Sequence, residues 1–251
     1  MTLTPSQGLH SLSQLGVDHR DVSIGNVLLG TDPDKAAGFI SDLDLSSISE
    51  EAIKEACPKD YDAINKQMKD GEWRTVCDYY PEAAPTPFSY IHPCAQGTAL
   101  FMSRQLLHSL DAMSNVSGFT FQHRLCHDFE SLIWVVVYAM MIHRRNTLAP
   151  KDIEECEKYK RALDRCWAAH AYSNILIAHD HMMATGCSAY AQSTWSLWFP
   201  DLHEAAFFRE AMHLIRDQDG GKPITYTRLC ALFNDHIHPA KEPRAVDVAF
   251  R

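Results

Sequence analysis

The chain has 251 residues, 46% of them hydrophobic, and a formal net charge of −9 at pH 7, which suits one domain with a substantial core. That acidic balance leaves no basic stripe to neutralise nucleic-acid phosphates, so no nucleic-acid partner is expected. With no secretory segment evident and 8 cysteines in no regular framework, the thiols read as reduced and the protein as intracellular, cytoplasmic or nuclear, so the sequon Asn115-Val116-Ser117 carries no glycosylation meaning.

Near the start, Leu9, Leu12 and Leu15 recur at helical spacing and predict a helix. It runs into His19-Arg20-Asp21-Val22-Ser23-Ile24-Gly25-Asn26. Asn26-Val27-Leu28-Leu29 and Gly38-Phe39-Ile40 then read as two short strands, with the turn formers of Gly30 to Lys35 as a hairpin loop between them. A hairpin draws its base together, so Asn26 and Asp42 of Ser41-Asp42-Leu43-Asp44 become neighbours. Asp21, Asn26 and Asp42 thus stand at a spacing that suits phosphoryl transfer. That chemistry needs a carboxylate to orient the attacking hydroxyl and oxygen ligands for the Mg²⁺ that bridges nucleotide phosphates. Asp21 fits the first role. Asn26 and Asp42 fit the second, because Mg²⁺ takes hard oxygen donors and needs only one or two from protein. The bland alternative, a polar turn, has to explain why several defined positions of the His-Arg-Asp-x4-Asn pattern coincide.

Between Asp44 and Gly97, Ser49 to Lys69 carries Glu50, Glu51 and Glu55 early and Lys66 and Lys69 late, an order that suits a helix dipole. Tyr79 to Pro93 is rich in proline and aromatics and reads as irregular. A docking or autoinhibitory insert competes here with a plain surface excursion or a retained piece of misassembled coding sequence, and the plainer readings are preferred. His123-x3-His127 with Cys126 has metal-like spacing, but lacks a third ligand and the glutamate a zinc protease requires, so no metal is assigned to it. Leu132 to Met141 is apolar around its whole circumference and shorter than the roughly twenty residues of a membrane span, so it predicts a buried helix and no membrane partner. Lys151 to His170, Glu204 to Asp217 and Thr225 to His236 predict further helices. His179-Asp180-His181 reads as a polar patch, Thr185 to Pro200 as loop or short helix, and 239–251 as a tail. No Gly-x-Ser-x-Gly elbow supports hydrolase chemistry.

Taken together, these residues resemble the C-terminal lobe of a eukaryotic protein kinase, most closely the fungal-type protein kinase family. Gly97-Thr98-Ala99-Leu100-Phe101-Met102-Ser103 is similar to the end of an activation segment. His127-Asp128-Phe129-Glu130-Ser131-Leu132 is similar to the start of the central buried helix. The resemblance covers residues 10–145 best. It implies ATP and Mg²⁺ as cofactors, Asp21 as catalytic base, Asn26 and Asp42 as metal and nucleotide ligands, and Thr98 near the catalytic aspartate. It also implies that Arg20 answers an activation-segment anion, and that His19 and Asp128 are structural, with Asp128 bracing the catalytic loop.

The departures are specific. Ser23 stands where serine/threonine kinases carry a lysine. Asp42-Leu43-Asp44 replaces Asp-Phe-Gly, keeping an apolar plug but losing a permissive backbone position. Gln105, in Ser103-Arg104-Gln105, cannot make the charged pair of the usual glutamate. No Gly-x-Gly-x-x-Gly occurs, and only a short run precedes His19. The expectation is therefore a mainly α chain: a kinase-like C-terminal lobe over 1–238 with a small β-hairpin, a 45–96 activation-segment insert, and the N-terminal β lobe missing. The function implied is ATP-dependent phosphoryl transfer to protein hydroxyls, weak or absent in the chain alone. The alternatives are a non-catalytic kinase-like module that binds a partner protein, and a small-molecule phosphotransferase. Arg20 and Thr98 favour the protein-kinase reading over the last.

Overall fold

In a computed structural model, residues 5–29, 38–43, 46–56, 98–113, 123–147, 171–188 and 198–236 are described, with isolated positions at 58, 59, 62, 157, 160, 161, 163, 164, 167 and 195. The described residues are mostly helical, with two small antiparallel sheets. The chain divides into two compact units, Met1–His179 and Asp180–Arg251.

In the first unit, helix α1 (Pro5–Gln14) buries Leu9 and packs on the long helix described below and on two of the short strands. Leu15 falls outside the helix and is exposed, because the chain turns at Gly16, whose φ of +73 closes α1 and starts β1 (Val17–Asp18). Only glycine suits that site: a Cβ there would lie 2.5 Å from Ser49 Oγ and 2.7 Å from the Ala52 methyl. Strands β2 (Val27–Leu29) and β3 (Gly38–Ile40) form the expected hairpin, pairing Val27 with Ile40, Leu28 with Phe39 and Leu29 with Gly38. Its loop lies outside the described residues. The second sheet pairs β1 with β4 (Ser47–Ile48).

The acidic start of the 45–96 stretch, whose charge order suits a helix dipole, forms helix α2 (Glu50–Ala56). Lys66, Lys69 and the irregular tract Tyr79 to Pro93 lie outside the described residues. A short 3-10 turn (Ala99–Phe101) leads into α3 (Arg104–Met113).

Helix α4 (Leu125–Thr147) is the spine of the unit. By length and hydropathy it is apolar enough to cross a membrane, yet it carries the buried, partnered acids Asp128 and Glu130 and has the burial of a core helix. Within the run expected to be central, Leu132, Ile133, Trp134, Val135, Val137 and Met141 are buried, while Ala139 reaches solvent. A second core centres on Met102, Leu106, Leu107 and Leu110 with Ile175 and Leu176. Those last two belong to helix α5 (Tyr172–Gly186), which the sequence reading missed. His179 therefore needs correcting. It is no part of a polar patch but fully buried, stacked on Trp134 with ring centroids 4.0 Å apart. Its neighbour His181 is exposed. Most of the helix expected over Lys151 to His170 lies outside the described residues, although Trp167 is helical and its indole meets Met141 Sδ at 3.4 Å.

The second unit is built on α6 (Leu202–Asp219) and α7 (Tyr226–His236). Asp201 caps α6, its carboxylate accepting from the N–H groups of His203 and Glu204. Phe208 stacks on Phe199, and Phe207 on Phe233 of α7. Arg228 and Asp217 pair across the two helices at 2.7 Å.

Candidate active site

The segment from His19 to Asn26 is held from three sides. Asp128, near the start of α4, points its carboxylate at the backbone: Oδ2 accepts the His19 N–H at 3.1 Å and Oδ1 the Arg20 N–H at 3.1 Å. These contacts join residues more than 100 positions apart in sequence. Burial pushes the Asp128 carboxyl up to about 8, against the pull of the Arg20 and His19 N–H groups.

His19 is buried and its partners fix its tautomer. Nε2–H donates to the Ser41 carbonyl at 3.0 Å, and Nδ1 accepts the Asp21 N–H at 3.3 Å. An Nδ1 that accepts an N–H belongs to a neutral ring, and burial lowers the pKa in the same direction. It thereby ties this loop to the end of β3, one residue before Asp42.

Asp21 is oriented through both carboxylate oxygens. Asn26 Nδ2 donates to Oδ2 at 3.0 Å and also to the Asp21 carbonyl at 2.9 Å; the Thr98 backbone N–H donates to Oδ1 at 2.6 Å. Thr98 thus meets Asp21 through its backbone, the residue before the 3-10 turn. Asn26 is turned back toward Asp21 by a tight turn in which the Asn26 and Val27 N–H groups both reach the Ser23 carbonyl. With both amide protons of Asn26 directed at Asp21, its Oδ1 is the acceptor left over.

The hairpin base closes as the pattern required. The Ser41 N–H donates to the Asn26 carbonyl at 2.9 Å, and Ser41 Oγ approaches the same oxygen at 3.3 Å. Asp42 follows directly and is exposed. The donor set at this base, an amide oxygen and a carboxylate on the adjoining ends of two paired strands, suits a hard cation such as Mg²⁺.

Among the described residues, two non-glycine positions have left-handed backbone, Arg20 (φ 70) and Asp42 (φ 66). Such conformations cost about 1 kcal/mol or more each and persist only where the surroundings impose them. Both fall in this site. For Arg20 the imposing contact is its N–H on Asp128. Asp44, Gly97 and most of the 45–96 stretch lie outside the described residues, so the anion that Arg20 was expected to answer has no described counterpart.

Three further residues support the site in ways that spacing did not indicate. Glu130 is fully buried, and its Oε1 accepts the Arg104 N–H at the start of α3 at 2.7 Å and the Trp134 Nε1–H at 3.2 Å. A carboxylate inside an apolar helix was a usable signal, because such groups are rarely buried without partners. His179 donates Nε2–H to the Leu100 carbonyl at 3.1 Å, two residues beyond Thr98. Gln105, which cannot make the usual charged pair, accepts instead from His127 Nε2 at 3.1 Å, while His127 Nδ1 takes the Arg124 N–H. Both His127 nitrogens are thereby engaged. Among the described residues no group of three His, Cys, Asp or Glu could hold a metal ion.

No curated protein and no solved structure matches the chain at a significant level. The family profile described as fungal protein kinase matches residues 7–140, just over half of the chain and the whole of the site from His19 to Asp128. On that match, the chain belongs to the fungal protein kinase family.

Proposed function

We propose that this chain provides the substrate side of a protein-kinase-type site for transfer of the ATP γ-phosphoryl group to a protein hydroxyl, within a kinase-like C-terminal lobe. The observation that carries the reading is the Asp21 carboxylate, fixed through one oxygen by Asn26 and through the other by the Thr98 N–H. A carboxylate held this way can accept a hydrogen bond from an incoming hydroxyl and keep it aimed at the phosphorus, and phosphoryl transfer depends mainly on such positioning. Asn26 Oδ1 and the Asp42 carboxylate would hold Mg²⁺, which supplies charge neutralisation between the phosphates when bound. His19 and Asp128 act on the backbone, one fixing the distance to the Asp42 segment and the other holding the strained Arg20 peptide.

The residues that cover and clamp the ATP phosphates in kinases, a glycine-rich loop and a strand lysine, have no counterpart in this sequence. Nucleotide bound by these groups alone would face water on one side, where charge interactions are strongly screened. The chain by itself is therefore expected to bind MgATP weakly and to transfer phosphate negligibly. Calorimetric titration of ATP with and without Mg²⁺ tests the reading. Weak Mg²⁺-dependent binding that disappears in Asn26→Ala and Asp42→Ala supports it, and binding indifferent to both substitutions refutes it.

A second reading, a kinase-like module that binds a partner protein without catalysis, draws support from the hairpin. Leu28 and Phe39 face each other across β2 and β3, 48% and 53% exposed, and Leu43 nearby is 48% exposed. An apolar cross-strand pair left in water is a surface that another polypeptide would cover. An intracellular location, cytoplasmic or nuclear, is the reading favoured by 8 cysteines that form no regular framework in the sequence.

A further inference from the structure

A cluster of titratable groups that the proposed chemistry does not use surrounds the start of α4. His123 lies just before the helix with its side chain 7% exposed, and its Nε2 is 3.4 Å from Oδ1 of Asp128. That carboxylate, 1% exposed, is the one receiving the His19 and Arg20 N–H groups. The His127 ring packs edge-on against His123, with centroids 5.3 Å apart. Since both nitrogens of His127 already have partners, it walls His123 in without competing for Asp128.

The chemistry of this pocket favours one proton for two groups. Burial pushes the Asp128 carboxyl up to about 8, and burial also holds His123 well below the ordinary histidine value. The charged and titratable groups facing the pair are Asp18, His19 and Arg20 on the loop side and His127 on α4. His127, Arg20 and His19 disfavour an imidazolium at His123, while Asp18 disfavours a carboxylate at Asp128. An isolated charge on either partner would be desolvated and costly, whereas a single proton held between them leaves the pair neutral.

We propose that His123 is a positioning residue of the catalytic loop, sharing one proton with Asp128 and so fixing the carboxylate in the orientation that receives the His19 and Arg20 N–H groups. This rests on the reading of His19 to Asn26 as the catalytic loop. Without His123, Oδ1 loses its side-chain partner and the carboxylate is free to rotate away from Arg20, whose left-handed backbone depends on that contact.

Amide hydrogen exchange on the full chain, without nucleotide, tests this in the unmodified protein, His123→Leu and His123→Gln. The leucine variant fills the space but cannot share a proton, and the His19 and Arg20 amides should then exchange roughly tenfold faster. Glutamine, whose amide can meet the carboxylate, should recover most of the protection. A packing role alone gives the opposite order, with leucine closer to the unmodified chain, and that result overturns the proposal. Imidazole ¹⁵N resonances decide the matter even where both variants unfold. A His123 signal that titrates together with Asp128 supports proton sharing, and one that titrates alone at the ordinary histidine value overturns it. Nucleotide plays no part in these readouts. Slow exchange lost in His123→Leu with no MgATP binding would fail the functional reading alone, and MgATP binding with unchanged exchange would fail the proton sharing alone.

Discussion

Replacing His179 by phenylalanine should reverse the order of stability between neutral and acidic pH. The histidine ring is fully buried, stacked on Trp134 at 4.0 Å and 15°, with Trp167 edge-on at 5.9 Å. Its Nε2–H donates to the Leu100 carbonyl, so a second proton must go on Nδ1, which is buried and has no hydrogen-bond partner among the described residues. Burial accordingly pushes its pKa down to about 3 from an ordinary 6.5. The unfolded chain then binds more protons than the folded one between these values. Stability is fully present above 6.5 and is lost as pH falls toward 3. At about 1.4 kcal/mol per pH unit, moving from pH 7 to pH 4.5 removes on the order of 3 kcal/mol through this one group. Phenylalanine keeps the stack and takes up no proton. It forgoes the bond to Leu100 and leaves that carbonyl unsatisfied, which costs about 1–3 kcal/mol at pH 7. The variant should therefore be the less stable protein at pH 7 and should match or exceed the parent at pH 4.5. His127, lowered to about 4, adds to the acid loss, and Asp128, raised to about 8, opposes it. Both remain in the variant, so the difference between the two proteins isolates His179. Urea denaturation followed by circular dichroism at the two pH values measures it. A difference unchanged with pH would show that His179 takes up no proton on unfolding and would refute the reasoning.

Glu130→Leu should cost about 2–5 kcal/mol, because the Arg104 and Trp134 N–H donors are left buried without their acceptor; thermal melts give the value, and a change under 1 kcal/mol would contradict the role assigned to this carboxylate. Gly16→Ala should destabilise by about 2 kcal/mol, combining a left-handed backbone with the close approach of Ser49 and Ala52, and the melting temperature should fall accordingly. Asp201→Ala should lose about 1 kcal/mol from the second unit by uncapping α6, a loss that Asp201→Ser should largely spare.

The chain's local elements were open to direct reading because they rest on short-range rules. The β2–β3 hairpin follows from two apolar runs around a turn-rich loop, and its register follows from strand pairing. Helices α6 and α7 follow from apolar residues at helical spacing, and α4 from a run with no polar face. Helix α5 escaped because its residues alternate histidine, aspartate and apolar types without a clean stripe. Only the tertiary structure could assign His179 to the core, since burial depends on Trp134 and Trp167 arriving from distant segments.

The same division holds at the candidate site. Sequence named Asp21, Asn26 and Asp42 by type and spacing. It could not say that Asn26 spends both amide protons on Asp21, or that the Thr98 backbone, 77 residues away, reaches the same carboxylate. Nor could it place Arg20 and Asp42 in left-handed backbone; for Arg20 the contact that holds it there comes from Asp128, 108 residues away. A pattern of residues specifies which chemical groups are present. Which atoms meet, and which groups lose water, is decided by contacts between segments far apart in the chain, where hydrogen bonding and desolvation act together.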